Sequence, residues 1–335
     1  MARFNRLTVR RVEFDCRLPL LFLAAVLSAH AVTIQYSGGY GGGSGNFTGV
    51  ADLSGCSGVL LADGIHVLTA AHCVANVTVN AQFQTILTPV TPSLFFFTPT
   101  DPNGIADAVT GIQFNPLTTA WFNSDPTAGL TYDLAILDLS APAPADATRY
   151  NLDLSGDAIT NHGAVVMAGW GYGGYPTTAA DCAADPNACI DGTEGTRRAG
   201  TNTVAGVFTS VQDGSLSANL PDTPIALEWT TTSDTNNPND TTGLPNGGDS
   251  GGPLLYNGNL IGITSFGNLP RGGVVPEGST FEAGYVDLAN PGNADWLDSV
   301  LDEAPEPGTW MLAAGGALLL FLCRRKIVRR EFSGN

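Results

Sequence analysis

Apolar and polar positions alternate with a period of two along most of the chain, in short runs broken by turn residues. Phe47-Thr48-Gly49-Val50-Ala51, Ser57-Gly58-Val59-Leu60-Leu61 and His66-Val67-Leu68-Thr69-Ala70 are the first such runs. Asp63-Gly64 between the second and third is a hairpin signal. Residues 77–98, rich in Thr, Val and Phe, continue the strand pattern, as do 111–114 and 134–139. Residues 142–146, with two prolines, read as a crossover between two halves. The second half repeats the habit at 164–168, 202–212, 225–229, 260–266 and 281–288. Only at the end does the period lengthen to that of a helix. Trp296, Leu297, Val300 and Leu301 form one apolar stripe behind Asn293, which is read as its N-cap. Many short strands, few helical stripes and 41 glycines with 21 prolines predict an all-β protein.

Two apolar stretches do not fit that pattern. Residues 18–28 follow a basic leader and precede Ala29-His30-Ala31, a small-x-small cleavage pattern. This predicts a signal peptide over 1–31, removed by signal peptidase after Ala31. Residues 309–323 form the second stretch, after Pro305-Glu306-Pro307 and before Arg324, Arg325, Lys326, Arg329 and Arg330. Basic residues after an apolar segment hold that end on the cytoplasmic side of a membrane. Ten of the 14 basic residues lie in these two ends, which leaves Arg149, Arg197, Arg198 and Arg271 for the whole middle. A net charge of −17 argues against nucleic acid as a partner.

Once Cys16 and Cys323 leave with the two ends, Cys56, Cys73, Cys182 and Cys189 remain. That is an even set suited to an oxidising compartment. Four cysteines allow three connectivities, and their order favours Cys56–Cys73 with Cys182–Cys189. Only the adjacent pair His72-Cys73 approaches a metal-ligand spacing, and a pair cannot build a zinc site. Asp234, Asn236, Asn239 and Asp240 offer oxygen ligands, but their spacing fits no calcium loop and a solvated loop is expected. No metal and no cofactor are called for.

The chemistry-bearing stretch is Gly247-Gly248-Asp249-Ser250-Gly251-Gly252-Pro253-Leu254. Glycines on both sides allow a strained turn that exposes a serine Oγ while backbone N–H groups converge on an oxyanion. A serine needs a base, and a base needs an acid to fix its tautomer. His72 follows an apolar strand beside a cysteine able to pin its backbone. Asp133 stands at the mouth of the apolar run Leu134-Ala135-Ile136-Leu137. Its rival Asp138, five residues on, faces the other side of a strand. His66 and His162 are read as ordinary strand and loop residues.

Thr69-Ala70-Ala71-His72-Cys73, Asp133-Leu134-Ala135-Ile136-Leu137 and Gly248-Asp249-Ser250-Gly251-Gly252-Pro253-Leu254 resemble the three signatures of the chymotrypsin-like (trypsin-family) serine endopeptidases, in that family's order. The resemblance spans about residues 47–303. It implies two perpendicular six-stranded antiparallel β-barrels, over about 47–145 and 160–290, with a helix at 294–303. It also implies His72 as general base and acid, Asp133 as its orienting group and Ser250 as nucleophile. The N–H groups of Gly248 and Ser250 would form the oxyanion hole, and Ser265, Phe266 and Gly267 the cleft wall along the substrate. An aspartate at the position of Leu244 marks the family's tryptic members, so this chain is expected to favour apolar or small side chains over Lys and Arg. In the family a freed N-terminal ammonium pairs with the acid before the nucleophile, here Asp249. No basic residue lies between Ala31 and Arg149, so Val32, exposed by signal peptidase, is the expected source of that ammonium.

The C-terminal stretch resembles the PEP-CTERM sorting signal of Gram-negative bacteria. This implies an exosortase-type partner, a transient inner-membrane anchor over 305–335, cleavage near Pro305-Glu306-Pro307, and release to the cell envelope or beyond. The expected function is an exported endopeptidase acting on proteins or peptides. The alternatives are a catalytically silent homologue that binds partners at the surface or in a matrix, and an esterase with the same triad.

Overall fold

The computed structural model describes residues 33–34, 47–80, 85–118, 131–172, 197–210, 215–217, 224–230, 242–267 and 280–302. The expected Cys182–Cys189 pair, the acidic loop around Asp234, the leader and the C-terminal segment lie outside the described residues.

In the first half, β1 is Thr33–Ile34, β2 Val50–Asp52, β3 Ser57–Leu60, β4 His66–Thr69, β5 Ala75–Val79 and β6 Thr85–Pro89. Further on come β7 (Leu94–Phe96), β8 (Ile105–Asp107), β9 (Val109–Phe114) and β10 (Ala135–Leu139). The second half holds β11 (Ala164–Gly169), β12 (Arg198–Ser210), β13 (Ser215–Ser217), β14 (Ile225–Thr230) and β15 (Gly243–Leu244), then β16 (Pro253–Tyr256), β17 (Asn259–Gly267) and β18 (Thr280–Asp287). The helices are a single turn, α1 (Asp157–Thr160), and α2 (Pro291–Asp302).

The second half is a closed barrel. Strands run β11-β16-β17-β18-β14-β12, and β12 returns to pair with β11 over Ala164–Gly169. The first half is a half-barrel of seven strands, β8-β7-β2-β3-β4-β10-β9, rather than a closed ring of six. Its edge strands β8 and β9 are neighbours in the chain, separated only by Ala108, and do not pair with each other. Two strands' worth of chain goes instead into a separate ribbon, β5 with β6. The architecture is all-β and chymotrypsin-like, with one short C-terminal helix.

Strands β3 and β4 bury both faces where the two halves meet. Val59, Leu68, Leu134 and Ile136 from the half-barrel share one apolar core with Leu255, Leu260, Ile263 and Val286 of the barrel, and with Trp296 and Leu297 of α2. The helix begins earlier than its stripe predicts. Asn290 caps it, its Oδ1 accepting from Gly292 N–H at 2.9 Å, and Pro291 takes the first helical position, where a missing N–H costs nothing. Asn293, expected as the cap, is inside the helix and fully buried. Its Nδ2 donates to Thr131 O and Asp287 O, both at 2.8 Å.

Candidate active site

His72 is delivered by a change of backbone. Strand β4 stops at Thr69, and a single 3-10 turn, Ala71–Cys73, swings the histidine out of the sheet. Ala70 and Ala71 are fully buried, so only small side chains fit beneath the turn. The Cys56–Cys73 disulfide fastens the turn's far end to the β2–β3 connection, in agreement with the expected pairing. Asp133 arrives from the neighbouring strand. The β4–β10 register pairs Thr69 with Ala135, which brings the residues just beyond each strand end together.

Asp133 is completely buried and each of its oxygens is occupied. Oδ1 accepts from the His72 backbone N–H at 3.0 Å. Oδ2 accepts from His72 Nδ1 at 2.7 Å and from Ser265 Oγ at 2.7 Å. Because Nδ1 carries the proton given to Asp133, Nε2 of the neutral ring is left as a base. Burial disfavours the imidazolium, but the charge and hydrogen bond of Asp133 outweigh it and raise the His72 pKa above 6.5. The bond from Ser265 crosses from the barrel to the half-barrel.

Ser250, half-buried, belongs to the loop between β15 and β16. Its carbonyl accepts from Ser57 N–H of β3 at 2.7 Å, and Cys73 Sγ lies 3.5 Å from the same oxygen. The serine loop is thus held against the half-barrel beside the turn that carries His72. Gly248 (φ 93°) and Gly251 (φ 84°) bracket it in left-handed conformations that other residues rarely adopt. A Cβ on Gly251 would also collide with Ser57 O and Thr69 Oγ1. Among the described residues the N–H groups of Gly248 and Ser250 donate to no protein acceptor, whereas those of Asp249, Gly251 and Gly252 are used within the fold. Two free donors on either side of Asp249 can receive an oxyanion.

The remaining expected positions fall as follows. Leu244 is fully buried in β15, within the barrel's apolar cluster with Ala283 and Tyr285. Phe266 packs its ring over Gly284 and 5.2 Å from the ring of Phe208, and Gly267 ends β17 near Pro245 O. Asp249 is buried beneath the serine loop, its oxygens accepting from Gly171 N–H at 2.8 Å and Asn246 N–H at 2.7 Å. Burial drives its pKa up to about 6 against those two bonds and the nearby charge of Arg198. Cys56, His72 and Cys73 lie close enough to resemble metal ligands, but their sulfurs are joined in the disulfide and offer no thiolate. His66, read as an ordinary strand residue, stands between two carboxylates, with Nδ1 2.7 Å from Asp63 Oδ2 and Nε2 3.4 Å from Asp138 Oδ1.

Half-barrel and barrel, a buried Asp–His pair and a glycine-held serine define the class of chymotrypsin-fold proteins. Residues 56–263, more than half of the chain, match the trypsin-like peptidase domain, and the chain belongs to that family. Residues 303–326 match the PEP-CTERM protein-sorting motif, a signal for export in Gram-negative bacteria that is read by an exosortase-type enzyme. No curated protein sequence matches the chain. Among solved structures, human heparin binding protein is similar at 20% identity, over 77% of this chain and 93% of that one, with a TM-score of 0.49. An atomic-resolution structure of HBP gives 19% identity, 77% and 93% coverage and a TM-score of 0.47.

Proposed function

We propose that the protein is an exported serine endopeptidase that forms an acyl-enzyme at Ser250, with His72 as general base and acid and Asp133 orienting it. The observation that carries this reading is the hydrogen-bonded chain Ser265–Asp133–His72, closed around a fully buried carboxylate beside the Ser250 loop. An unsatisfied buried carboxylate would be costly, and this arrangement satisfies it while leaving the imidazole's outer nitrogen as a base. Attack by Ser250 Oγ passes its proton to His72 Nε2, and the oxyanion forms opposite the N–H groups of Gly248 and Ser250. His72 then protonates the leaving amine, and water reverses the sequence to release the acid.

The proposed side-chain preference rests on Leu244, which stands at the sequence position where tryptic members carry an aspartate and is fully buried and apolar. A guanidinium buried there without a counter-ion would lose several kcal/mol. Peptides cut after Leu, Phe or Ala are expected to react at least ~100-fold faster than those cut after Arg, by kcat/KM. The primary test is labelling of the exported, processed protein by a fluorophosphonate, with Ser250→Ala as control, followed by casein cleavage. Labelling with casein cleavage supports the peptidase; labelling with ester turnover alone favours the esterase. Absence of both in processed protein would establish a silent homologue that binds at a surface or in a matrix.

A further inference from the structure

The Ser250 loop is held from below by Asp249, and the charge of Asp249 needs a partner. Its carboxylate is almost fully buried and pinned at both oxygens by backbone N–H groups, from Asn246 on the loop and from Gly171 beside it. Tyr172 N–H adds a bond to Gly247 O at 2.8 Å, so residues 171–172 and 246–249 form one interlocked unit. Two hydrogen bonds from neutral amides do not neutralise a carboxylate in such a place.

A cation is built in on the far side of Gly171. Arg198 opens β12, paired with Gly169 across β11, and is only 7% exposed. Its Nη1 donates to Gly171 O at 3.3 Å, so the guanidinium and the Asp249 carboxylate bind opposite ends of the same glycine. No direct ion pair joins the two; the guanidinium reaches the carboxylate only through that glycine, and its charge works against the larger effect of burial on Asp249. Three Lys or Arg side chains lie among the described residues, and the other two stand away from Gly171. Arg149 lies against the Gly64 turn, and Arg197 stacks 5.4 Å over the Trp170 ring while donating to Phe97 O. We infer that Arg198 is the fixed counter-charge of Asp249 and, through Gly171, a positioning residue for the Gly248–Ser250 oxyanion donors.

This inference rests on the peptidase reading and departs from the expectation that the Val32 ammonium fills the role. Strand β1 pairs Thr33 with Leu244, so the start of the secreted chain lies near the loop. With Arg198 as counter-charge, that strand needs no free amine to order the site. The enzyme is then competent as soon as it folds, whatever residue the leader peptidase leaves first. This suits a chain that lacks a basic residue between Ala31 and Arg149 for a tryptic activating cut.

The chain makes the test clean, because Lys326 is its single lysine and lies in the sorting segment. Acetylation of the processed protein with an N-hydroxysuccinimide ester therefore blocks the α-amine alone. Activity is expected to survive that treatment unchanged. Arg198→Met is expected to lower kcat by about 100-fold with little change in KM, as for loss of an oxyanion donor. Asp249 is faced by Arg198 and by the buried Tyr285, and the acid limb of kcat/KM also reflects His72. Without Arg198 that limb is expected to move up by about one pH unit or more, because a carboxylate that loses its cation is harder to ionise. Arg198→Lys is expected to recover most of the activity and the original limb.

The inference is overturned if Arg198→Met keeps the wild-type kcat and acid limb. It is equally overturned if the α-amine resists acetylation in the folded protein, or if its acetylation abolishes turnover. Should Arg198→Met fail to fold, the lysine variant and the acetylated wild type decide. Should the wild type show no activity, the peptidase reading fails, and thermal unfolding of Arg198→Met, Asp249→Asn and the double variant still tests the pair. A double variant that unfolds higher than Arg198→Met supports it, because both charges are removed together; additive losses overturn it.

Discussion

Asp287 shows what one largely buried carboxyl does when, among the described residues, no cation compensates it. It ends β18, its Oδ1 accepts from Ala289 N–H at 2.9 Å, and it lines a small cavity with Asp153, Ile225 and Ile261. Burial raises its pKa from 3.8 to about 6, against the bond from Ala289. The folded state therefore holds its proton more tightly than the unfolded chain. Its stabilising contribution is complete below about pH 4 and is lost as the pH rises through about 6, about 3 kcal/mol in all. Asp287→Asn keeps the acceptor and removes the charge. At pH 7.5 the variant is expected to be more stable by up to about 2 kcal/mol, and at pH 3.5 equal to wild type, by urea unfolding at both values. A gain that is the same at both pH values would contradict the assignment. At this scale the His72–Asp133 bond was legible because each of the two residues sits in a short local signature. The bond from Ser265 to Asp133 was not, since it joins residues 132 apart in sequence and from different halves. Arg198 was invisible for the same reason: nothing within β12 says that its guanidinium turns toward Gly171.

Helix α2 ties the second half of the chain back onto the first. Trp296 and Leu297 enter the core shared by both halves, and Asn293 makes the polar link. Its Nδ2 bonds Thr131 O and Asp287 O, and its Oδ1 accepts from Asn115 Nδ2 at 2.8 Å. Asn293→Ala would leave buried partners on the half-barrel unpaired, which is expected to cost about 2–4 kcal/mol. Asn290→Ala removes the cap and is expected to cost about 1 kcal/mol. Chemical unfolding of the two variants side by side checks the ranking, and equal losses would mean that Asn293 does no bridging. The helix itself was legible from its 3.6-residue stripe, but its start was not. Two asparagines three apart compete for the cap, and Pro291 between them was the available signal for the earlier one. Strand boundaries were legible wherever apolar alternation met a turn. Strand β1 was not, because a two-residue strand in a glycine-rich stretch exists only through its partner β15. Closure of the barrel by β11 with β12, and its absence in the first half, likewise depend on pairings far apart in sequence.

For the whole molecule the division of labour along the chain is the main result. The basic residues gather at the two ends, and the part between keeps four of the 14. Helix α2 ends at Asp302 and the sorting motif begins at residue 303, so the last packed element and the processing signal abut without a spacer. Among the described residues no helix is long and apolar enough to cross a membrane. The apolar run at 309–323, outside them, is the segment available for an anchor. Among the described residues the core and the candidate site precede the signal: His72, Asp133, Ser250, Ser265, Trp296 and Leu297 all lie at or before 297. A chain ended by a stop codon at position 303 should lose its membrane hold and nothing else. It is expected to be released directly, with the same unfolding midpoint and the same kcat/KM on an apolar peptide as the processed full-length protein. The full-length chain in a host without an exosortase-type enzyme is expected to remain with the membrane fraction. Fractionation and thermal unfolding of both proteins test this together. A truncated chain that unfolds several degrees lower would mean that residues beyond 302 pack on the fold; one that stays with the membrane would place the anchor elsewhere.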